Sequence, residues 1–403
     1  MALLSVEDAL DRILRGAKLR QLSETVGLHD ASGRVLSQDI PALVTHPAFD
    51  NSAMDGYAVR HQDIASIGAE LTVIGQSAAG HGFKGEVKAG ETVRIFTGAP
   101  VPSGADTVII QEDTERLSDG RIRTNFVPGK GRHIRTAGQD FTAGEAALSA
   151  GDVLDAGRLT LAAGMNHASL PVFKRPRVAI LATGDELLTP GSKPGADQII
   201  ASNSFGVAAI ARDNGAEVID LGIVGDNRQA IAAQINKTQE ADVDVLVTLG
   251  GASVGDHDLV QSTLVDCGMT LDFWRIAMRP GKPLMVGQLG AMSVLGLPGN
   301  PVSSLVCSLL FLEPLVRNLA RLPDRERLAT ARLASPLPAN DIRQDYVRAR
   351  LSRDKNGSLL AHPFSRQDSS MMKVFAQSDC LIVRAPHAPE APAGTDCDIL
   401  RLR

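Results

Sequence analysis

Four short stretches hold most of the chemically capable residues: Thr183-Gly184-Asp185-Glu186, Gly225-Asp226, Gly250 through Asp258, and Leu297-Pro298-Gly299-Asn300-Pro301-Val302-Ser303-Ser304. Asp185, Glu186, Asp226, Asp256 and Asp258 supply carboxylates. One or two of these, completed by phosphate oxygens, suit Mg²⁺. Gly250, Gly251, Ala252, Ser253 and Gly255 are small enough for a ligand to approach the backbone closely. His257 stands alone among the acids and reads as a surface residue rather than a ligand. A fifth stretch, Trp274 to Pro283, carries Arg275, Arg279 and Lys282, stiffened by Pro280 and Pro283. Alone it is a solvated basic turn; beside the acids it reads as a clamp for phosphate or another oxyanion. Together these groups describe a phosphoester or anhydride ligand with a divalent metal.

The elements that must position them follow from periodicity. Apolar strands over Arg177–Ala182, Glu217–Gly222, Val243–Leu249, Pro283–Gly287 and Met292–Leu297 alternate with helices over Ser202–Asn214, Arg228–Gln239, Asp258–Cys267 and Val302–Leu319. In Ser202–Asn214 the spacing puts Phe205, Ala208 and Ala209 on one face. Alternation of this kind gives a parallel sheet with helices on both faces. The acidic and Gly-rich loops then fall at the carboxyl ends of the strands, where open parallel sheets bind ligands. Asn300 is placed to cap the last helix and Pro301 to start it. The free N–H groups of Val302 to Ser304 would face an anion in the turn. The α/β segment contains no Gly-x-Gly-x-x-Gly and no Walker loop, so dinucleotide and P-loop readings lose their main support there.

Earlier in the chain, Ser5 and Asp8 form a capping box ahead of an amphipathic helix carrying Val6, Leu10, Ile13 and Leu14. From Gln21 to Pro171 short alternating runs and Gly-rich turns read as mostly β. Within them Pro47 to Ala58 is a polar, unpatterned loop of the kind that carries function. Arg94 to Pro100 is a strand ending in a small-residue turn. Beyond Pro323, Tyr346–Leu351, Gly357–Ala361 and Cys380–Arg384 read as strands of a small C-terminal β domain.

At 403 residues the chain suggests two to four domains. Aromatic residues are 3%, so the core is aliphatic, and the composition argues against base-stacking platforms. The net charge of −5 without a basic run argues against nucleic acid. Cys267, Cys307, Cys380 and Cys397 form no Cys-x-x-Cys pair and read as small apolar residues. Neither a signal peptide over Met1–Arg12 nor an apolar run of membrane-spanning length is read, so the expected location is cytoplasmic.

Asn51-Ser52-Ala53-Met54-Asp55-Gly56-Tyr57-Ala58, Ile95-Phe96-Thr97-Gly98-Ala99, Thr183-Gly184-Asp185-Glu186-Leu187, Gly250-Gly251-x-Ser253-x-Gly255, Arg279-Pro280-Gly281-Lys282-Pro283 and Leu297-Pro298-Gly299-Asn300-Pro301 occur in one order. In this the sequence resembles the molybdopterin molybdenumtransferases, the family of bacterial MoeA and the gephyrin E domain. The resemblance implies a multidomain α+β chain whose central α/β domain, with a mostly parallel sheet, is similar to molybdopterin adenylyltransferase. It implies these divisions: an N-terminal helix over 1–23; a linker β region over 24–44 and 136–172; an inserted β domain over 45–135; the α/β domain over 173–322; and a C-terminal β-barrel-like domain over 323–403.

The implied reaction inserts molybdenum from molybdate into adenylylated molybdopterin, with Mg²⁺-assisted release of AMP. By the same resemblance Asp55, Thr97, Glu186, Asp226 and Asp258 are catalytic, and Glu186, Asp226 and Asp258 hold the metal. Substrate falls to Gly250, Gly251, Ser253, Arg275, Arg279, Lys282, Pro298, Gly299, Asn300, Pro301, Ser303, Arg348 and Ser369. A homodimer is implied, with the active site at the subunit interface and the Asn51–Tyr57 loop facing its partner's crevice. Molybdopterin adenylyltransferase and cofactor-accepting proteins are the implied partners, with no nucleic acid and no membrane. Two alternatives stand beside this reading: molybdopterin adenylylation, since the α/β domain is shared, and a non-catalytic scaffold.

Overall fold

The computed structural model describes residues 3–250 and 259–402. Gly251, Ser253, Asp256, His257 and Asp258 lie outside the described residues. The chain divides into two compact units, Met1–Glu24 with Phe173–Arg403, and Thr25–Val172. Helix α1 (Val6–Gly16) opens the first of them. Its N-cap forms, without the reciprocal main-chain bond of a full capping box: Ser5 Oγ accepts from the Asp8 N–H at 3.0 Å and donates to the Asp8 carboxylate at 2.7 Å, and Ala9 and Ile13 are buried.

The unit Thr25–Val172 holds a six-stranded sheet built from β1 (Gly56–Val59), β2 (Glu70–Ser77), β3 (Glu91–Ile95), β4 (Thr107–Ile110), β5 (Thr114–Arg116) and β6 (Arg121–Thr124). Its order is β4-β1-β3-β2-β6-β5. The two-residue period of β1 divides it between two cores. Tyr57 and Val59 join Ile64, Leu71, Ile109 and Ile122, while Ala58 joins Ile95, Ala99 and Val108. A third core gathers Leu36, Ile40, Phe141, Leu148, Leu154 and Met165 around α2 (Ala156–Gly164). The mostly β reading of this region did not place α2, whose start is fixed by Asp155 accepting from the Arg158 N–H at 2.8 Å.

The larger unit contains β7 (Arg177–Thr183), α3 (Asn203–Asp213), β8 (Glu217–Val224), α4 (Arg228–Glu240), β9 (Val245–Leu249), α5 (Leu259–Asp266), β10 (Thr270–Arg275), β11 (Met278–Arg279), β12 (Pro283–Leu289), β13 (Met292–Leu297) and α6 (Pro301–Leu319). Six of these strands form a sheet of order β8-β7-β9-β13-β12-β10. Pairings from β8 to β13 are parallel, while β12 runs antiparallel to β13 and β10. Val178, Ile180 and Ala182 face one core and Ala179 and Leu181 the other, so helices cover both faces.

Two details of the helices differ from the sequence reading. The buried face of α3 is Val207, Ala208 and Ala211; Phe205 and Ala209 are exposed. Its pattern is nearly apolar all round, so periodicity could not choose the inner stripe. Helix α6 is also long and apolar enough to cross a membrane by length and composition, against the expectation of no such run. Val302, Val306, Cys307, Phe311, Leu312, Leu315 and Val316 are each fully buried, so this is a core helix. A π-turn over Ser308–Leu312 lets it continue past Pro314, because it absorbs the missing N–H and the ring's bulk.

The chain ends in β14 (Leu328–Leu333), β15 (Gln344–Arg353), β16 (Leu359–Pro363), the short α7 (Met372–Ala376), β17 (Cys380–Arg384) and β18 (Asp396–Arg401). The order β15-β16-β14-β18-β17 closes back on β15 and makes a small barrel around Leu333, Val347, Ala349, Ala361, Cys380, Ile382 and Ile399. The sequence reading missed β14 and β18. Strand β11 joins this sheet in parallel, pairing Arg279 with Asp345.

Candidate active site

The carboxyl ends of β7, β8, β9 and β13 wall a cavity of about 980 Å³. Glu186, Asp226, Gly250, Pro298, Gly299, Asn300 and Pro301 line it, together with Thr183, Asn203, Ser370 and Met372. Four loops separated in sequence therefore meet at one place, as parallel-sheet topology requires.

The acids do different work. Asp185 Oδ1 accepts the Asp226 N–H at 3.0 Å and fixes the Gly225–Asp226 turn. Glu186 and Asp226 line the cavity without an ion pair among the described residues. Gly184 sits at φ +147°, and a Cβ there would collide with the Glu186 carboxylate. Among the described residues no three His, Cys, Asp or Glu side chains converge to hold a metal ion. Asp258, the third acid expected to do so, lies outside them.

The Leu297–Ser304 turn differs from the anion site read from sequence. Asn300 occupies the cap position, but its side chain makes no capping bond. The Val302 N–H donates to the Ser369 carbonyl at 3.0 Å, and the Ser304 N–H to the Asn300 carbonyl at 2.9 Å. Two of the three N–H groups expected to face a ligand are thus taken. Asn203 Nδ2 donates to the Gly299 carbonyl at 2.7 Å and ties α3 to the turn. The turn shapes the wall, and Ser303 is buried behind it.

The basic residues lie off the cavity lining. Arg279 Nη2 donates to Asp345 at 2.6 Å, and Nη1 reaches Asp341 at 3.4 Å. Asp345 foremost raises the pKa of Arg279. Asp341 is held down to about 2 by its hydrogen bonds from Arg343. Lys282 is exposed. The Arg275 guanidinium stacks on Trp274, 4.1 Å from the ring centroid, with its Nε buried and without a partner among the described residues. Arg348 is only 2% exposed, yet its Nε and Nη2 have no partner among the described residues. Burial pushes its pKa down. A buried guanidinium with open donors is costly unless an anion completes it. The side chain of Ser369 is half-buried beside Ser370, which does line the cavity.

In the other unit, Asp55 accepts from both the N–H and the hydroxyl of Thr97, each at 2.8 Å. Arg94 braces this loop. It donates to the Gly56 carbonyl at 3.0 Å and lies over the rings of Tyr57 and Phe96. Sequence reading missed Arg94, Asn203, Asp341 and Asp345. For Asp345 no sequence signal exists, since its partner lies 66 positions away.

Three family models cover most of this architecture. Residues 4–165 match the MoeA N-terminal region (domain I and II), 179–318 a probable molybdopterin binding domain, and 330–402 the MoeA C-terminal region (domain IV). The chain is 33% identical over 398 residues to a molybdopterin molybdenumtransferase of Haemophilus influenzae, covering 97% of each chain. The chain belongs to the molybdopterin molybdenumtransferase family. A Bacillus subtilis relative of the same name is 32% identical, covering 99% of this chain and 94% of that one. Two solved MoeA structures from Pyrococcus horikoshii are similar over their whole length. They have TM-scores of 0.84 and 0.82 at 29% and 25% identity, covering 100% and 99% of this chain. The family's central domain is the one carrying the cavity, and the expected multidomain α+β architecture holds.

Proposed function

We propose that the cavity receives adenylylated molybdopterin, and that molybdenum from molybdate enters its dithiolene as AMP leaves. Molybdenum transfer is the family's activity, and this chain is a transferase of molybdenum cofactor biosynthesis. The observation that carries the finer reading is the pair of carboxylates, Glu186 and Asp226, without a partner among the described residues and in one cavity with the Pro298–Pro301 turn.

Those two acids, with Asp258, would hold Mg²⁺. Their hard oxygen donors suit that ion, which keeps its remaining positions for water and phosphate oxygens. Gly184 leaves room for the Glu186 carboxylate. Bound there, Mg²⁺ would offset charge building on the phosphoanhydride. The protein's own part is to hold the anhydride against the Pro298–Pro301 wall, and to offer molybdate the open donors of Arg348 with Arg279, Lys282, Arg275 and Ser369. The small backbone at Gly250, with Gly251 and Ser253, would let the pterin approach closely.

The homodimer, the cytoplasmic location, the hand-off partners and the five-part division of the chain belong to the same proposal. The separate apolar core of residues 24–44 and 136–172 supports that division. Incubation with adenylylated molybdopterin and Mg²⁺, reading AMP release against molybdate concentration, tests the reaction. AMP release that ignores molybdate would overturn it. Light scattering of the purified chain tests the dimer.

A further inference from the structure

The basic residues proposed to meet molybdate already face carboxylates of their own chain. Arg279 gives one Nη to Asp345 at 2.6 Å and the other to Asp341 at 3.4 Å. Asp341 is also held by Arg343 at 2.7 Å, so Asp345 is the dedicated partner. Strand pairing puts Asp345 directly opposite Arg279, and its side chain is only 17% exposed. Three residues along the same strand, Arg348 is buried with two donors unpartnered among the described residues, and it lies within the electrostatic reach of Asp345, Asp368 and Arg279. Arg279 cannot direct both Nη groups at an oxyanion while it holds these acids. An anion arriving at Arg348 also meets the negative charge of Asp345.

We infer that Asp345 is an internal counter-ion that occupies Arg279 until a tetrahedral oxyanion displaces it, and so sets the oxyanion affinity of the site. This rests on the reading of Arg279 and Arg348 as oxyanion contacts. A carboxylate that merely positioned Arg279 would have the opposite effect on removal, so the sign of the change decides. Displacement is feasible because a pair this exposed on the Arg side, 45%, is weakly held.

The test measures binding of molybdate alone to the full chain by calorimetry, for wild type, D345N, D341N and R348Q. D345N should bind about tenfold more tightly, through loss of one repelling charge at close range. D341N should tighten binding by a smaller factor, because Arg343 shares that acid, and it serves if D345N folds poorly. Molybdate should also raise the melting temperature of D345N more than that of wild type. Unchanged or weaker binding in D345N or D341N, with binding lost in R348Q, overturns the counter-ion and keeps the oxyanion site. Unchanged binding in all variants overturns both.

Discussion

Asp55 and Thr97 form a closed pair: one carboxylate oxygen receives both the main-chain N–H and the hydroxyl of the threonine, each at 2.8 Å. These bonds, the N–H first, hold Asp55 below its ordinary value of 3.8, with Arg94 adding to the effect. A carboxylate with a depressed folded value stabilises the fold fully above about 3.8, and that contribution is lost as pH falls through the folded value. Thr97→Val removes one donor and keeps the other. The Asp55 midpoint, followed by carboxyl-carbon NMR, should rise in this variant toward 3.8. A midpoint unmoved by the substitution would mean the hydroxyl bond does not form.

Arg94 is the brace behind that pair, and its planar fork serves two acceptors while stacking on two rings. Arg94→Lys keeps the charge and loses the fork and the stacking. If the Asp55 loop acts in turnover as proposed, the variant should lower turnover by roughly tenfold through a misplaced loop, while leaving molybdate binding at wild-type affinity. Wild-type turnover in Arg94→Lys would show that charge alone suffices.

Asp185 and Glu186 are neighbours with separate tasks, which gives a clean comparison. Glu186→Gln and Asp226→Asn should each reduce AMP release by about a hundredfold or more, with circular dichroism unchanged. Asp185→Asn keeps the oxygen that accepts the Asp226 N–H and should stay within a few-fold of wild type. An Asp185→Asn variant as inactive as Glu186→Gln would assign Asp185 to the metal instead.

The central domain was legible because it is made of local signals. Apolar runs such as Met292–Leu297 and the Asn300-Pro301 helix start are written in adjacent residues, and parallel topology alone predicts where their loops converge. That reasoning puts Glu186 and Asp226 at the convergence of the loops, and both line the cavity. What escaped is long-range: the Ser369 carbonyl that takes the Val302 N–H, and the Asp345 carboxylate on Arg279. Both depend on how the C-terminal barrel seats against the α/β domain, and no periodicity encodes that. Strands β14 and β18 escaped for a simpler reason. Apart from Leu328 their exposed positions carry Arg, Thr and Asp, and only Ala331, Leu333, Ile399 and Leu400 are buried.

The glycines of the site separate into those that are required for folding and those that shape the ligand space. Gly250 sits at φ +92°, and a Cβ there would lie 2.7 Å from the Thr183 carbonyl oxygen, which is backbone and cannot step aside. Gly250→Ala should cost about 1–3 kcal/mol, seen as a lower urea midpoint. Gly299 also lines the cavity, but a Cβ there meets nothing within 4 Å. Gly299→Ala should leave the urea midpoint within about 0.5 kcal/mol of wild type and raise the KM for adenylylated molybdopterin, since Gly299 lines the cavity proposed to receive it. Equal stability losses in the two variants would show that the turn, rather than the ligand, requires a glycine at position 299.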